Sequence, residues 1–284
     1  MITAQTPLKD HILRLAQKLP TSPQIFGKLC LLLDDLNADA GKVVDLIGVD
    51  AGLTARVLRL SNSVFFRGSL SVDSLEEAIG RVGFREVHKI VGIAMTEQAF
   101  KDGLPSYQLS AKEIFENSVA TALAMELIAR AAAEDEHEAY TVGLLRQIGK
   151  LVLGRVLEKE HPGVICPDDG DICAWEHEHF NITSHETTAL VLEAWKLPPE
   201  VHLGIRHHHE PEAHRADGKL GVILHLACWV VQMMGYGLKS EARLWELTPE
   251  RLAFAGVSEE DLRGCVDDTT VAFNDLCQQL GLAT

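Results

Sequence analysis

Apolar residues recur along this chain at helical spacing. Ile25, Leu29, Leu32 and Leu36 share one face of a helix, and Leu53, Val57 and Leu60 form a second stripe. Val87, Ile90, Val91, Ala94 and Met95 carry the same period through a longer helix, and residues 111–133 and 138–159 are each long enough for several turns. Start signals precede these runs. Pro23 follows Ser22 as a first-turn proline behind a cap, and Thr248-Pro249 repeats the arrangement. Ser74-x-x-Glu77, Ser110-x-x-Glu113, Thr183-x-x-Glu186 and Ser258-x-x-Asp261 have the spacing at which an N-terminal hydroxyl and an acidic side chain satisfy each other's free amides. Pro198-Pro199 is expected to end the helix opened at Thr183, and Asn62-Ser63 to close the one over Leu53–Leu60. No run of alternating β-branched residues flanked by hairpin turns occurs. The pattern predicts an all-α fold.

Lys101-Asp102-Gly103-Leu104-Pro105-Ser106 is the best internal break. It separates a helical subdomain over 8–103 from a second bundle over 104–240, with the helices of 241–284 expected to pack on the same domain. The break is short, so the halves are expected to pack together rather than swing.

The chain has 284 residues, 46% hydrophobic and 24% charged, enough for a large core. Its net charge of −15 argues against nucleic acid, whose backbone calls for a dense basic face. A local pocket for one small anion remains compatible with it. The basic pair Arg56 and Arg59 shares one helix face and reads as solvated or partner-contacting. Met1–Lys18 lacks the apolar core of a signal peptide. The most apolar stretch, Leu220–Gly235, is interrupted by His225 and Gln232 and is shorter than the ~20 residues that span a bilayer. Six scattered cysteines without a Cys-x-x-Cys pair fit reduced thiols. A cytoplasmic protein without a membrane partner is expected.

Nucleophilic and nucleotide chemistry find no support, because no Gly-x-Ser-x-Gly elbow, phosphate loop or dinucleotide fingerprint occurs. Nine of the thirteen histidines lie between His161 and His214. Within His207-His208-His209, neighbours on one helix point in different directions, so the triplet alone cannot chelate one ion. Cys173, His177 and His179, with Cys166 nearby, lack the paired-cluster spacing of a structural zinc site. Glu176-His177-Glu178-His179 reads more simply as an exposed polar helix face.

The run Val142-Gly143-Leu144-Leu145-Arg146-Gln147-Ile148-Gly149-Lys150 resembles the Leu-Leu-His-Asp-Ile-Gly-Lys helix of the HD superfamily of metal-dependent phosphohydrolases. Other segments are similar, in order, to the HDOD (HD-related output domain) branch of bacterial signalling proteins. They are Leu19-Pro20, Val49–Ser63, Ser74–Ile79, Val82-Gly83, His185, Trp195-Lys196-Leu197-Pro198 and His208-His209-Glu210-Pro211. The similarity spans most of residues 10–240, and nothing from about 240 onward matches. It implies an N-terminal helical subdomain packed on a degenerate HD-like bundle. The superfamily's first ligand histidine falls on Asn117, its His-Asp pair on Arg146 and Gln147, and its late aspartate on Cys228. Arginine has no lone pair to offer a metal. Only His185, His208 and His209 remain as metal candidates, of the kind used in the larger HD-GYP type of site, and they read as packed structural histidines.

The resemblance therefore implies a non-catalytic signalling protein with no cofactor, working through contacts with a response regulator, a sensor kinase or a cyclic-dinucleotide enzyme. One alternative is a phosphohydrolase with a degenerate working site. Another is a sensor holding a nucleotide or small anion between Arg146 and Lys150, which lie on one helix face. Against that sensor stands the plainer reading that Arg146 reaches solvent or makes a structural salt bridge.

Overall fold

The computed structural model describes residues 5–17, 25–29, 32, 40–62, 71–168 and 170–280. Leu19-Pro20, Ser22, Pro23, Leu36 and Ser63, which carry some of the sequence expectations, lie outside them. The described chain is helical, with no strand; an isolated bridge pairs Leu104 with Leu109. No described helix is long and apolar enough to cross a membrane.

The chain forms two compact units, one of residues up to 19 and 100–270, the other of 20–99 and 271 onward. This differs from a subdomain over 8–103. Helix α1 (Gln5–Ala16) belongs to the larger unit, because its buried Ile12 and Ala16 lie on a helix that packs against two elements beyond residue 140, and His11 pairs with Glu160 at 3.0 Å. The residues from Val271 also group with the smaller unit rather than with the bundle.

In the smaller unit, α2 (Ala40–Gly48), α3 (Ala51–Ser61) and α4 (Leu75–Ala99) bury Val43, Ile47, Leu53, Val57 and Leu60 against Ile79, Val87, Ile90 and Val91. Each boundary has a local cause. Asp50 caps α3 by accepting from the Leu53 amide at 3.0 Å. Asn62 closes it, donating to the Leu58 and Val72 carbonyls and accepting from the Val72 amide. Gly83, at φ 85°, interrupts α4 in a conformation other residues avoid, so the segment is two helices end to end. Arg56 and Arg59 both pair with Glu97, which makes them internal partners of α4.

The larger unit is the bundle. Helix α5 (Ala111–Ala131) packs on α6 (Glu136–Leu145), α7 (Ile148–Glu160) on α9 (Ser184–Ala194), α9 on α10 (Pro199–His207), and α11 (Leu220–Met233) on α5 and α10. Helix α8 (Ile172–Phe180) lies between α7 and α9 in sequence, and α12 (Pro249–Ala255) and α13 (Glu259–Leu280) follow. The reciprocal caps expected at Ser110/Glu113, Thr183/Glu186 and Ser258/Asp261 form. At Ser74 only the hydroxyl half forms, and Glu77 accepts from Asp73 instead. Two boundaries differ from the sequence reading. Helix α9 ends at Ala194, and Pro199 opens α10 as its first residue rather than ending α9. The helix read over 138–159 is two helices, broken at Arg146-Gln147. Thr188 of α9 secures this break, its hydroxyl lying 3.0 Å from the Arg146 carbonyl and accepting from the Gly149 amide at 2.8 Å. Gly149 permits the approach, since a Cβ there would collide with the Ser184 carbonyl oxygen.

Candidate functional site: a buried Arg–Glu–Lys pocket

The break between α6 and α7 delivers Arg146 and Gln147 into the bundle interior, and Lys150 follows one turn later. All three are buried. Asn117, on the facing side of α5, accepts through its side-chain oxygen from Arg146 at 3.1 Å and from Gln147 at 3.2 Å. Its amide nitrogen donates to the Tyr236 carbonyl at 2.9 Å. Cys228 of α11 is buried close enough to Arg146 for the two to interact electrostatically. Asn117, Arg146, Gln147 and Cys228 therefore meet in one pocket.

Sequence reasoning missed the residue that completes it. Glu241, fully inside a short turn after α11, places one carboxylate oxygen 2.6 Å from Arg146 and the other 2.5 Å from Lys150. Burial alone would raise the Glu241 carboxyl, but the Arg146 and Lys150 charges outweigh it and hold it well below the usual carboxylate range. Burial pushes the Cys228 thiol up to about 12, with Arg146 opposing, so it stays protonated at neutral pH. Trp245 covers the guanidinium, whose carbon lies 5.5 Å from the ring centroid. The anion-holding reading of Arg146 and Lys150 is corrected accordingly. Both cations face a carboxylate of the chain itself, the buried salt bridge that was the competing reading. The nearby surface cavity of about 430 Å³, lined by Glu113, Glu116, Asp168 and Lys239 among others, is acidic on balance and unsuited to an anion.

This pocket does not fit a divalent metal. Arginine cannot ligate, the Asn117 oxygen accepts from Arg146 and Gln147, and the Glu241 carboxylate is committed to two cations, which leaves the Gln147 amide oxygen as one neutral donor, too few to hold an ion.

The histidines separate as the geometry of a helix end requires. His207 accompanies His214 and Asp217, its Nδ1 2.8 Å from the carboxylate and its ring stacked on His214 at 3.6 Å. His208 and His209 point inward, toward His185, with ring centroids 5.7 and 4.2 Å from it. Trp245 also touches His208, His209 and His225, so it lines both this cluster and the Arg146 pocket. Burial pushes His185 down to about 4 and holds His208 and His209 well below the usual imidazole value, with neighbouring imidazoles adding to the effect on those two. Cys173 belongs to this cluster, its sulfur 3.4 Å from His209 Nδ1. His177 and His179, whose spacing from Cys173 did not read as a zinc site, lie elsewhere on α8: His177 is exposed and His179 packs on Trp175. Glu176 corrects the exposed-face reading of that helix. It is buried, accepting from the Tyr107 hydroxyl at 3.0 Å and the Ser184 amide at 2.6 Å.

The described chain is thus a helical bundle that gathers Asn117, Arg146, Gln147 and Cys228 at the break between two of its helices. The chain belongs to the HDOD family: the HDOD domain model matches residues 19–211. Glu241 and Trp245 lie beyond that span. Among solved structures, an HDOD domain protein of unknown function from Geobacter sulfurreducens is 21% identical at a TM-score of 0.67, with 93% of this chain and 97% of that chain covered. A candidate phosphohydrolase from Shewanella amazonensis SB2B is 22% identical at a TM-score of 0.66, covering 95% and 98%. A candidate signal transduction protein from Marinobacter aquaeolei VT8 is 22% identical at a TM-score of 0.73, covering 99% of this chain and 66% of that one. These likenesses establish the fold. No curated protein matches the chain.

Proposed function

We propose that this chain is a non-catalytic regulatory protein of bacterial signalling, acting in the cytoplasm through contacts with other signalling proteins. The observation that carries this reading is the buried Arg146–Glu241–Lys150 cluster, in which Arg146 stands where the resemblance implies a metal-ligating histidine. The positive charge is covalently part of the chain there and already compensated. Arg146 offers no lone pair to an ion that would lower the pKa of a water molecule or polarise a phosphoryl oxygen. The partner would be a response regulator, a sensor kinase or a cyclic-dinucleotide enzyme. Nucleic acid is disfavoured by the net charge of −15, and by the engagement of Arg56 and Arg59 with Glu97.

The assay is hydrolysis of cyclic dinucleotides and simple phosphate esters with added Mn²⁺, Fe²⁺ or Zn²⁺. Turnover at the background rate is expected. Metal-dependent turnover that disappears in His185→Ala would overturn the reading in favour of a working phosphohydrolase.

A further inference from the structure

We infer that Cys173, His185 and His209 form a mononuclear site for a borderline-soft divalent cation, Zn²⁺ foremost. The three come from separate elements: Cys173 from α8, His185 from the first turn of α9, and His209 from the turn after α10. One ligand atom from each lies within 4.8 Å of the others. Zinc bonds of roughly 2.3 Å to sulfur and 2.0–2.1 Å to nitrogen make a tetrahedral S···N edge of about 3.5 Å. The Cys173 sulfur and His209 Nδ1 are 3.4 Å apart.

The hydrogen bonds fix which atoms carry lone pairs. The Thr183 hydroxyl donates to Glu186 at 2.8 Å, so His185 Nε2, 3.2 Å from the same oxygen, is the N–H that donates to it. His185 Nδ1 is then the lone-pair nitrogen, and it is buried without a partner. A buried acceptor left unsatisfied is costly, and a cation removes that cost. Thr183 fills the outer position that commonly orients a ligating imidazole. A thiol–imidazole hydrogen bond explains the Cys173–His209 contact but leaves His185 Nδ1 unexplained. His208 adds to the imbalance: its Nδ1 is bonded to the Ile205 carbonyl at 2.6 Å and its Nε2 is buried without a partner. The second histidine cluster lacks this character, because His207 is already satisfied by Asp217. The donor set of one thiolate and two imidazoles is borderline-soft and favours Zn²⁺ over Mg²⁺ or Ca²⁺. An ion there would tie α8 to α9 and to the end of α10, beside the Arg146 pocket, whose Lys150 and Glu241 both interact with all three ligands.

The test uses the full, untagged chain stripped with a chelator and then titrated with Zn²⁺ by calorimetry and with Co²⁺ by absorption. One ion per chain is expected, together with a thiolate-to-cobalt charge-transfer band and a raised melting temperature. Cys173→Ser should abolish the band. Cys173→Ser and His209→Ala should each weaken Zn²⁺ binding by about tenfold or more, while His207→Ala leaves it unchanged. The band in the unaltered protein reads the thiolate directly, so the test stands even where a variant misfolds. Absence of stoichiometric binding, binding without the band, or binding lost in His207→Ala would overturn the site. None of these results bears on the pairing of Arg146 with Glu241.

Discussion

Glu241 decides what the Arg146 pocket of this protein can be. Two buried cations on the motif helix require a buried counter-charge, because leaving either unpaired is far costlier than leaving it in water. Glu241→Gln removes that counter-charge and should cost about 3–5 kcal/mol in urea denaturation at neutral pH. The pH dependence has a fixed sign. The folded-state Glu241 carboxyl is held below its unfolded value, so its contribution is complete above an unfolded pKa of about 4.3 and is lost as pH falls toward the folded value. The stability gap between the natural chain and Glu241→Gln should therefore stay constant from pH 8 to 5. Below about pH 4.3 it should narrow by roughly 1.4 kcal/mol per pH unit. A gap already closing between pH 7 and 5 would contradict the pairing. The sequence placed Asn117, Arg146, Gln147 and Cys228 in one pocket through the family pattern, but Glu241 stood in a polar stretch, Lys239-Ser240-Glu241, that carries no pattern. Its one signal was indirect: an arginine and a lysine on an apolar motif helix imply an acid from elsewhere in the chain. The Cys173–His209 contact was not legible for a related reason: the two lie 36 residues apart, whereas His177 lies at ordinary helical spacing.

At the scale of elements, the caps were legible because each is settled within four residues. The α6–α7 break was not, because its cause is distant: the Thr188 hydroxyl and Ser184 carbonyl of α9 hold the Arg146-Gln147 turn and leave no room at Gly149. Periodicity alone runs through that turn, since Arg146 keeps helical backbone angles. Gly149→Ala should force α7 and α9 apart and cost ~3 kcal/mol or more, the upper range for overpacking. Gly264, inside α13, gives the opposite expectation, because a methyl group added there would meet open space. Gly264→Ala should stabilise the chain by up to ~1 kcal/mol, the helix-propensity difference between the two residues. Thermal melting of both variants checks the contrast, and similar effects at the two positions would refute the packing argument.

At the scale of the molecule, the break near Lys101–Ser106 was readable from composition, whereas the allegiance of α1 was not. An amphipathic helix states that it needs an apolar surface without saying which one. Ile12 is fully buried, and α1 packs on α7 and α9. Ile12→Ala should cost about 2–5 kcal/mol and raise amide exchange in α7 and α9 while leaving α2 and α3 at their original protection. Loss of protection centred on α2 and α3 would place α1 with the wrong unit.

The claim on which the account rests is that the Arg146 pocket is neutralised from within, and a double-mutant cycle on Arg146 and Glu241 tests it most directly. Arg146→Met, Glu241→Gln and the double variant would be compared by urea denaturation at pH 7. Coupled partners predict a double variant that loses less than the two single losses combined, by about 1–3 kcal/mol. Losses that add to within about 0.5 kcal/mol would mean that Arg146 and Glu241 do not hold each other, and the self-neutralised pocket would have to be abandoned.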